Sequence, residues 1–386
     1  MTRIPAPTPE LADVVRRFSP LMPELPGEQR RVLSDIAVCR TAALGGHMET
    51  CDHCSHQRPA YNSCRNRHCP KCQASACADW TDKQAKDLLP VPYFHVVFTL
   101  PNAFNSLALG NKRVVYGLLF KAVARTLMQV AADPKRLGAQ VGFLAVLHTW
   151  GQNLSLHPHL HCVIPGGGLS LDGTQWVGCR PGFFLPVRVL SAVFRGKFIG
   201  LLRNAFHTGK LRGLADAAAF ETMFDSAVAT DWVVYAKAPF GGPEQVLKYL
   251  ARYTHRIAIS NRRIVAMDQR TVTFEYKDYA GGNRRRTMKL PGTEFLRRFL
   301  MHSVPRGFMR IRHFGLLANR SKADNLERCR QLLGVASPSE AKSADPGSEP
   351  IEHHDRCPVC GRGRMVPAGL LQPRHDQLPD LFNDTS

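Results

Sequence analysis

The sequence predicts an α+β protein in which an antiparallel sheet with flanking helices follows a small cysteine-rich module. Near the amino terminus two Cys-x-x-Cys pairs lie close together, and further along the chain β-rich runs surround a long apolar helix pattern. These features divide the 386 residues into four predicted parts. The parts are a helical lead over 1–40, a zinc-binding domain over 41–85, an α+β domain over 90–320 and a flexible tail over 335–386.

The zinc prediction depends on the spacing of the cysteines. Cys51 and Cys54 form one pair and Cys69 and Cys72 form another, separated by 14 residues. Two such pairs supply the four thiolates of a tetrahedral zinc site. Cys64 lies in the spacer, so an exchange of ligands or a second zinc ion stays open. Free buried cysteines are the alternative interpretation.

A further Cys-x-x-Cys pair, Cys357 and Cys360, lies in the predicted tail. The preceding residues 336–350 contain few large apolar side chains, which is typical of a flexible segment. The pair is half of a zinc site. Cys329 or a histidine would complete it, or the pair is a degenerate remnant.

The charge of the chain indicates an anionic partner. Lysines and arginines number 51 against 31 aspartates and glutamates, which gives a formal charge of +20. This excess favours nucleic acid, and Arg65 and Arg67 in the cysteine-rich module are candidate DNA contacts. Structural zinc modules also bind protein. No apolar run reaches the roughly 20 residues that span a bilayer, and no signal peptide is recognisable, so we expect a cytoplasmic protein.

The α+β domain is predicted from hydrophobic patterns. Residues 93–101, 141–152 and 157–168 have the composition of strands, and residues 111–133 have the length and apolar recurrence of a helix. The second and third strands are separated by a short polar loop, which predicts a hairpin.

Three histidines stand at every second position in the stretch SLHPHLHCVI. In a strand His157, His159 and His161 share one face, with about 6.6 Å between neighbours. One pair can bind an ion, but the whole set spans about 13 Å, so a third ligand must come from elsewhere. A hairpin with His148 opposite His161 would place His148 and Gln152 on this face. Histidines that only make hydrogen bonds on a half-exposed sheet are the alternative.

Two tyrosines stand four residues apart in GGPEQVLKYLARYTHR. The stretch predicts a helix on which Tyr249 and Tyr253 share one face, beside the cations Lys248, Arg252 and Arg256. A tyrosine becomes a nucleophile when cations lower its pKa from about 10 or a base removes its proton. The same cations would hold a DNA phosphate. A tyrosine pair packed in a core is the alternative.

In combination these motifs resemble a known family. His159-Leu160-His161 is a histidine–hydrophobic–histidine (HUH) motif, and SCRNRHCPKC, TWGQNLSLHPHLH and YLARYTHR accompany it. Over roughly residues 30 to 320 the chain resembles the two-tyrosine rolling-circle transposases of bacterial insertion sequences, the Insertion Sequence ninety-one family.

The resemblance implies an HUH endonuclease-type antiparallel sheet and an enzyme that cuts and rejoins single-stranded DNA at element ends and in target DNA. The HUH pair would bind Mg²⁺ or Mn²⁺, and Tyr249 or Tyr253 would form a 5′-phosphotyrosine intermediate. Gln152 is the first candidate for the third ligand, followed by His157 and His148. The enzyme would work in the bacterial cytoplasm at the nucleoid.

Two alternatives stay open. A replication initiator or relaxase uses the same chemistry, although the leading zinc module and the lack of a helicase-type phosphate loop in the sequence disfavour it. The second alternative is a zinc-dependent DNA-binding protein without catalysis.

Overall fold

The computed structural model describes residues 8–213, 217–230, 232–240, 245–246, 257–279, 281–335 and 356–374, and positions 376, 379 and 381–382. The chain divides into two compact units. The terminal unit comprises 1–76, 257–303 and 343–386, and the central unit comprises 77–256 and 304–342. This division differs from the predicted linear order, because the predicted α+β domain 90–320 contributes 257–303 to the terminal unit.

The terminal unit contains two three-stranded antiparallel sheets. Its helices are α1 (Leu11–Phe18), α2 (Gly27–Ala37) and α8 (Gly292–Met301). Its strands are β1 (Gly46–Cys51), β2 (Gln57–Tyr61), β10 (Ile264–Met267), β11 (Thr271–Asp278), β12 (Arg284–Pro291) and β14 (Met365–Leu371). The helix α3 (Pro70–Ala85) begins in this unit and continues into the central unit.

Burial of one face of α1 organises the packing of this unit. Leu11, Val15 and Phe18 are buried on that face. The Phe18 ring lies against the start of α8, where a Cβ on Gly292 would overlap a ring carbon of Phe18. A side chain at this position would therefore push the two helices apart.

The carboxyl-terminal strand β14 pairs antiparallel with β1, with Cys51 opposite Met365 and Gly46 opposite Leu371. The prediction of a flexible tail is therefore wrong for the paired residues 365–371. A strand alone at the chain end has no partner for its backbone groups, and β1 supplies one. Residues 336–355 lie outside the described residues.

The central unit is built on a five-stranded sheet with the order β13-β5-β6-β3-β9, in which all neighbours are antiparallel. Its strands are β3 (Tyr93–Thr99), β4 (Ala139–Gln140), β5 (Gly142–Trp150), β6 (Leu156–Pro165), β7 (Gly167–Ser170), β8 (Trp176–Gly178), β9 (Val234–Phe240) and β13 (Ile311–Gly315). Its further helices are α4 (Asn105–Gly110), α5 (Lys112–Ala132), α6 (Val187–His207), α7 (Ala217–Val228) and α9 (Lys322–Leu332). The predicted α+β class, with an antiparallel sheet and flanking helices, is confirmed.

Strand alternation gives this sheet two different faces. On one face Phe98, Leu147 and Leu160 belong to the large core that α5 and α6 complete. On the other face the alternate positions of β3, β5 and β6 carry histidines. Helix α5 is long and apolar enough to cross a membrane, but 61% of its apolar window is buried inside the unit, which is typical of a core helix.

The predicted hairpin of β5 and β6 forms, but its predicted register is wrong. His148 pairs with His159, and Val146 pairs with His161. The ladder also shifts between His148 and Trp150, so the pairing cannot be counted outward from the loop residue by residue. The shift brings His148 next to both histidines of the HUH motif.

Candidate metal centres

Three histidines meet on the face of the central sheet that lies opposite the large core. His148 comes from β5, and His159 and His161 come from β6; one ligand nitrogen of each lies within 4.8 Å of the others. The ring centroids of His148 and His161 are 4.4 Å apart, and those of His159 and His161 are 4.8 Å apart. This spacing suits three imidazoles that share one metal ion.

Hydrogen bonds select the nitrogen that two of these rings can offer. His159 Nδ1 lies 2.6 Å from the carbonyl oxygen of His157, so Nδ1 carries the proton and donates it. His161 Nδ1 lies 2.9 Å from Nε2 of His95. If His161 Nδ1 is the donor, the lone pair of each ring is on Nε2, which is the atom that can bind a metal.

The surroundings favour the neutral form of His159 and of the neighbouring His95. Partial burial lowers the pKa of His159 to about 4, and the adjacent His157 acts in the same direction. Burial also lowers the pKa of His95 to about 3, with a contribution from Lys237 on the neighbouring strand β9. A neutral imidazole is the form that binds a metal, so His159 can offer its free nitrogen to an ion near pH 7.

His95 is a site residue that the sequence reasoning missed. It is 4% exposed, its strand β3 pairs with β6, and its ring stacks on that of His161 at 5.1 Å. The signal was present in the sequence, because His95 stands at an alternate position of the predicted strand 93–101. The sequence did not show that this strand lies beside the HUH strand.

The other two predicted ligands lie close to this group in the chain. Gln152 lies in the turn between β5 and β6, and its role as third ligand stays a prediction. His157 is not a member of the histidine group that the described residues form. It contributes its carbonyl oxygen to His159 instead. Tyr249, Tyr253, Lys248, Arg252 and Arg256 lie outside the described residues.

The four cysteines that were predicted to share one zinc ion do not lie together. One cluster consists of Cys39, Cys64, Cys69 and Cys72, and the other consists of Cys51, Cys54, Cys357 and Cys360. The predicted single site is therefore corrected to two clusters, each containing one of the predicted pairs. The spacing was misleading because each pair meets cysteines from a different part of the chain.

In the first cluster Cys39 follows α2, and Cys72 lies in the first turn of α3. Cys72 Sγ lies 3.6 Å from Cys39 Sγ and 3.5 Å from Cys64 Sγ, and Cys69 Sγ lies 3.5 Å from Cys39 Sγ. Zinc bound to four sulfurs at about 2.3 Å places the sulfurs about 3.8 Å apart. The residues therefore fit a tetrahedral zinc ion.

Arg65 and Arg67 lie in the loop of the first cluster, between Cys64 and Cys69. Arg65 is exposed and has a left-handed backbone with φ of 53°, whereas Arg67 is partly buried. The loop therefore presents at least one cation to a partner.

Together, the described residues define an α+β protein with a group of three histidines on an antiparallel sheet and two groups of four cysteines, each of which could hold a metal ion. Residues 12–100 match the family described as "Transposase zinc-binding domain". Residues 142–324 match the family described as "Putative transposase".

Two curated relatives agree with these matches. The chain is 51% identical over 379 residues to "Putative transposase y4qJ" of Sinorhizobium fredii. The alignment covers 93% of this chain and 94% of that relative. It is also 28% identical over 342 residues to "Transposase for insertion sequence element IS801" of Pseudomonas savastanoi pv. phaseolicola. That alignment covers 86% of this chain and 82% of the relative. The chain belongs to this transposase family, the IS91 family with an amino-terminal zinc-binding domain, and the resemblance is confirmed.

Among solved structures, a conjugative relaxase TrwC in complex with oriT DNA, in a metal-bound form, is 21% identical to this chain. The similarity covers 29% of this chain and 43% of the relaxase, with a TM-score of 0.24.

Proposed function

We propose that this protein is a single-strand DNA transposase of the HUH type. Tyr249 or Tyr253 attacks the scissile phosphorus, the bond to the 3′-oxygen breaks, and the phenolic proton ends on the 3′-hydroxyl that is released. The DNA stays attached through a 5′-phosphotyrosine, which conserves the phosphodiester energy for rejoining. The substrates are the single-stranded ends of the element and the target DNA, at the nucleoid in the bacterial cytoplasm.

The observation that supports this proposal most is the cluster of His148, His159 and His161. Three protein ligands leave coordination positions for oxygen atoms of a substrate, which distinguishes a catalytic site from a closed structural site. A divalent ion held there would stabilise the charge that develops on the phosphate. Three imidazoles suit Mn²⁺ or another transition ion better than Mg²⁺, which prefers oxygen ligands.

His95 is the positioning residue of this centre. Its contact with His161 Nδ1 would fix the orientation of the His161 ring and, with His161 as the donor, would leave Nε2 of His161 free to bind an ion. In metal sites such outer hydrogen bonds set ligand orientation and basicity. Because His95 is buried and its pKa is low, its ring is neutral and its Nε2 can accept this hydrogen bond.

The zinc of the amino-terminal domain is proposed to be bound by Cys39, Cys64, Cys69 and Cys72. Arg65, in the loop that these cysteines hold, would contact a DNA phosphate, and Arg67, Lys248, Arg252 and Arg256 are further candidates. The exposed arginines of β12, Arg284 to Arg286, add to the positive surface of the terminal unit. Phosphate contacts of this kind position the protein without reading the sequence.

The test is incubation of the protein with labelled single-stranded DNA that carries the end sequence of its own element, followed by denaturing electrophoresis. We expect a DNA–protein adduct that requires Mn²⁺ or Mg²⁺, persists in one single Tyr→Phe variant or both, and disappears in Tyr249→Phe/Tyr253→Phe. His313→Ala serves as control, since His313 lies on β13 of the same sheet and bonds Gln84 rather than the cluster.

The alternatives give different results. DNA binding without an adduct under any divalent ion would contradict the proposal and favour a zinc-dependent DNA-binding protein. An adduct without joining of element ends to target DNA would favour an initiator or relaxase. A transposase must do both.

A further inference from the structure

We propose that Cys51, Cys54, Cys357 and Cys360 form a second structural zinc site, which fastens the carboxyl-terminal segment to the amino-terminal zinc-binding domain. The family match to that domain covers residues 12–100, so the matched segment contains Cys51 and Cys54 but not Cys357 and Cys360. The other two come from beyond the match to the second family, which ends at residue 324. The inference concerns a separate site and is independent of the chemistry proposed above.

The sulfur positions fit one tetrahedral ion. Cys51 Sγ lies 3.7 Å from Cys360 Sγ, and Cys54 Sγ lies 3.6 Å from Cys357 Sγ. All four sulfurs lie within 4.8 Å of one another, near the separation of about 3.8 Å that zinc imposes on its thiolates. These distances are far from the roughly 2.05 Å of a disulfide, and all four residues are free cysteines.

The two Cys-x-x-Cys turns have equivalent backbones although they stand at opposite ends of the chain. Ser55 N–H donates to the carbonyl of Cys51 at 3.0 Å, and Gly361 N–H donates to the carbonyl of Cys357 at 2.9 Å. In each turn the residue after the second cysteine is left-handed, with φ of 57° at Ser55 and 63° at Gly361. Each is a zinc knuckle, so two matching halves face each other.

Backbone amides also point at the sulfurs. Cys54 N–H donates to Cys51 Sγ, and Gly363 N–H donates to Cys360 Sγ, both at 3.4 Å. Hydrogen bonds of this kind favour the thiolate, which is the form that binds zinc.

The surrounding contacts hold the two halves together. Arg364 N–H donates to Asp52 Oδ1 at 2.7 Å, and Asp52 N–H donates to the carbonyl of Arg364 at 3.0 Å. Gly363 lies against the first knuckle, where a Cβ would stand 2.5 Å from Cys51 Sγ. The adjacent strands β1 and β14 continue this pairing. A chain that ends before Cys357 would therefore leave Cys51 and Cys54 without half of their ligand set.

Thiol protection in the full-length protein tests this site directly. The zinc-loaded protein is treated with an alkylating reagent under native conditions, and the modified cysteines are identified by mass spectrometry. Cys54 is the most informative position, because its side chain is exposed and burial cannot protect it. We expect Cys54 to stay unmodified in the zinc-loaded protein and to react after chelation.

Variants from both ends show whether the halves depend on each other. In Cys357→Ser/Cys360→Ser we expect the loss of one zinc per chain and alkylation of Cys54, while Cys39, Cys64, Cys69 and Cys72 stay protected. In the milder variant Cys54→Ser we expect Cys360 to become reactive. Cys179→Ser is the matched control, because Cys179 belongs to neither cluster, and it should keep the zinc content and the protection of Cys54.

Continued protection of Cys54 in Cys357→Ser/Cys360→Ser, with unchanged zinc content, would overturn the proposal. So would alkylation of Cys54 in the zinc-loaded wild type. Because the readout is thiol chemistry, the result does not depend on DNA cleavage. If the wild-type protein holds both zinc ions but forms no adduct with DNA, only the proposed function is contradicted.

Discussion

The two kinds of metal centre in this protein differ in how the chain builds them. The cysteine clusters gather ligands from turns and helix ends that stand far apart in sequence, and each offers four sulfurs. The histidine cluster uses two adjacent strands of a sheet whose opposite face is a large core, and it offers three nitrogens.

This difference is the reason that we propose a structural role for the cysteine clusters and a catalytic role for the histidine cluster. Four thiolates complete the coordination of zinc, so the ion can only hold the polypeptide together. Three imidazoles on a rigid sheet leave part of the coordination sphere for a substrate, and the sheet fixes the ligands while the substrate binds. Removing each kind of ion should therefore have different consequences.

The largest effect is expected from the first cysteine cluster. Zinc binding by small domains contributes about 10–16 kcal/mol in zinc-finger peptides, and this energy is folding energy. In Cys69→Ser/Cys72→Ser we expect the terminal unit to lose its cooperative unfolding transition, measured by calorimetry and limited proteolysis. The same transition in Cys179→Ser should stay unchanged. Retention of a wild-type transition in the double variant would show that the cluster has no structural ion.

The second-largest effect is expected at the histidine cluster, where loss of the ion should change activity but not folding. His148→Ala removes a side chain that is proposed to bind the ion directly. We therefore expect adduct formation to fall by more than 100-fold, beyond the roughly 10–100-fold loss that is typical of residues that only bond to a ligand. Unfolding of the terminal unit should not change. Adduct formation in Gln152→Ala, measured in the same gel assay, should fall much less, because we propose His148 and not Gln152 as the third ligand. A larger loss in Gln152→Ala than in His148→Ala would reverse the ligand assignment.

A smaller effect is expected at the positioning residue. His95→Ala should weaken binding of Mn²⁺ by about 10–100-fold, as is typical when an outer partner of a ligand is lost. His95→Gln offers an amide oxygen to His161 Nδ1 and should restore part of the affinity. The measurement is metal titration by calorimetry. Equal losses in both variants would indicate a packing role for His95.

The smallest effect is expected at the surface of the zinc-binding domain. Arg65→Ala should weaken DNA binding and reduce the slope of log affinity against log salt by about 1, the contribution of one phosphate contact. Arg16→Ala is the control, because Arg16 is an exposed arginine of the same unit that is already paired with Asp13 at 2.8 Å. An unchanged salt slope in Arg65→Ala would exclude this contact.

Local patterns predicted much of the fold. The helix expected over 111–133 is observed as Lys112–Ala132, and the strand expected over 93–101 is observed as Tyr93–Thr99. Both segments are apolar runs, and most of their residues are buried in the central unit. The HUH histidines are likewise placed correctly on one face, since alternation along a strand is a local property.

The sequence by itself determined the element types, the cysteine knuckles and the pairing of His159 with His161 on one face. Only the tertiary structure decided which residues complete each centre. A ladder shift set His148 beside the HUH motif, the neighbouring strand supplied His95, and β14 brought Cys357 to Cys51. The physical reason is that metal ligation requires atoms within a few ångströms, and contacts between distant segments depend on strand pairing and register, which no local period encodes.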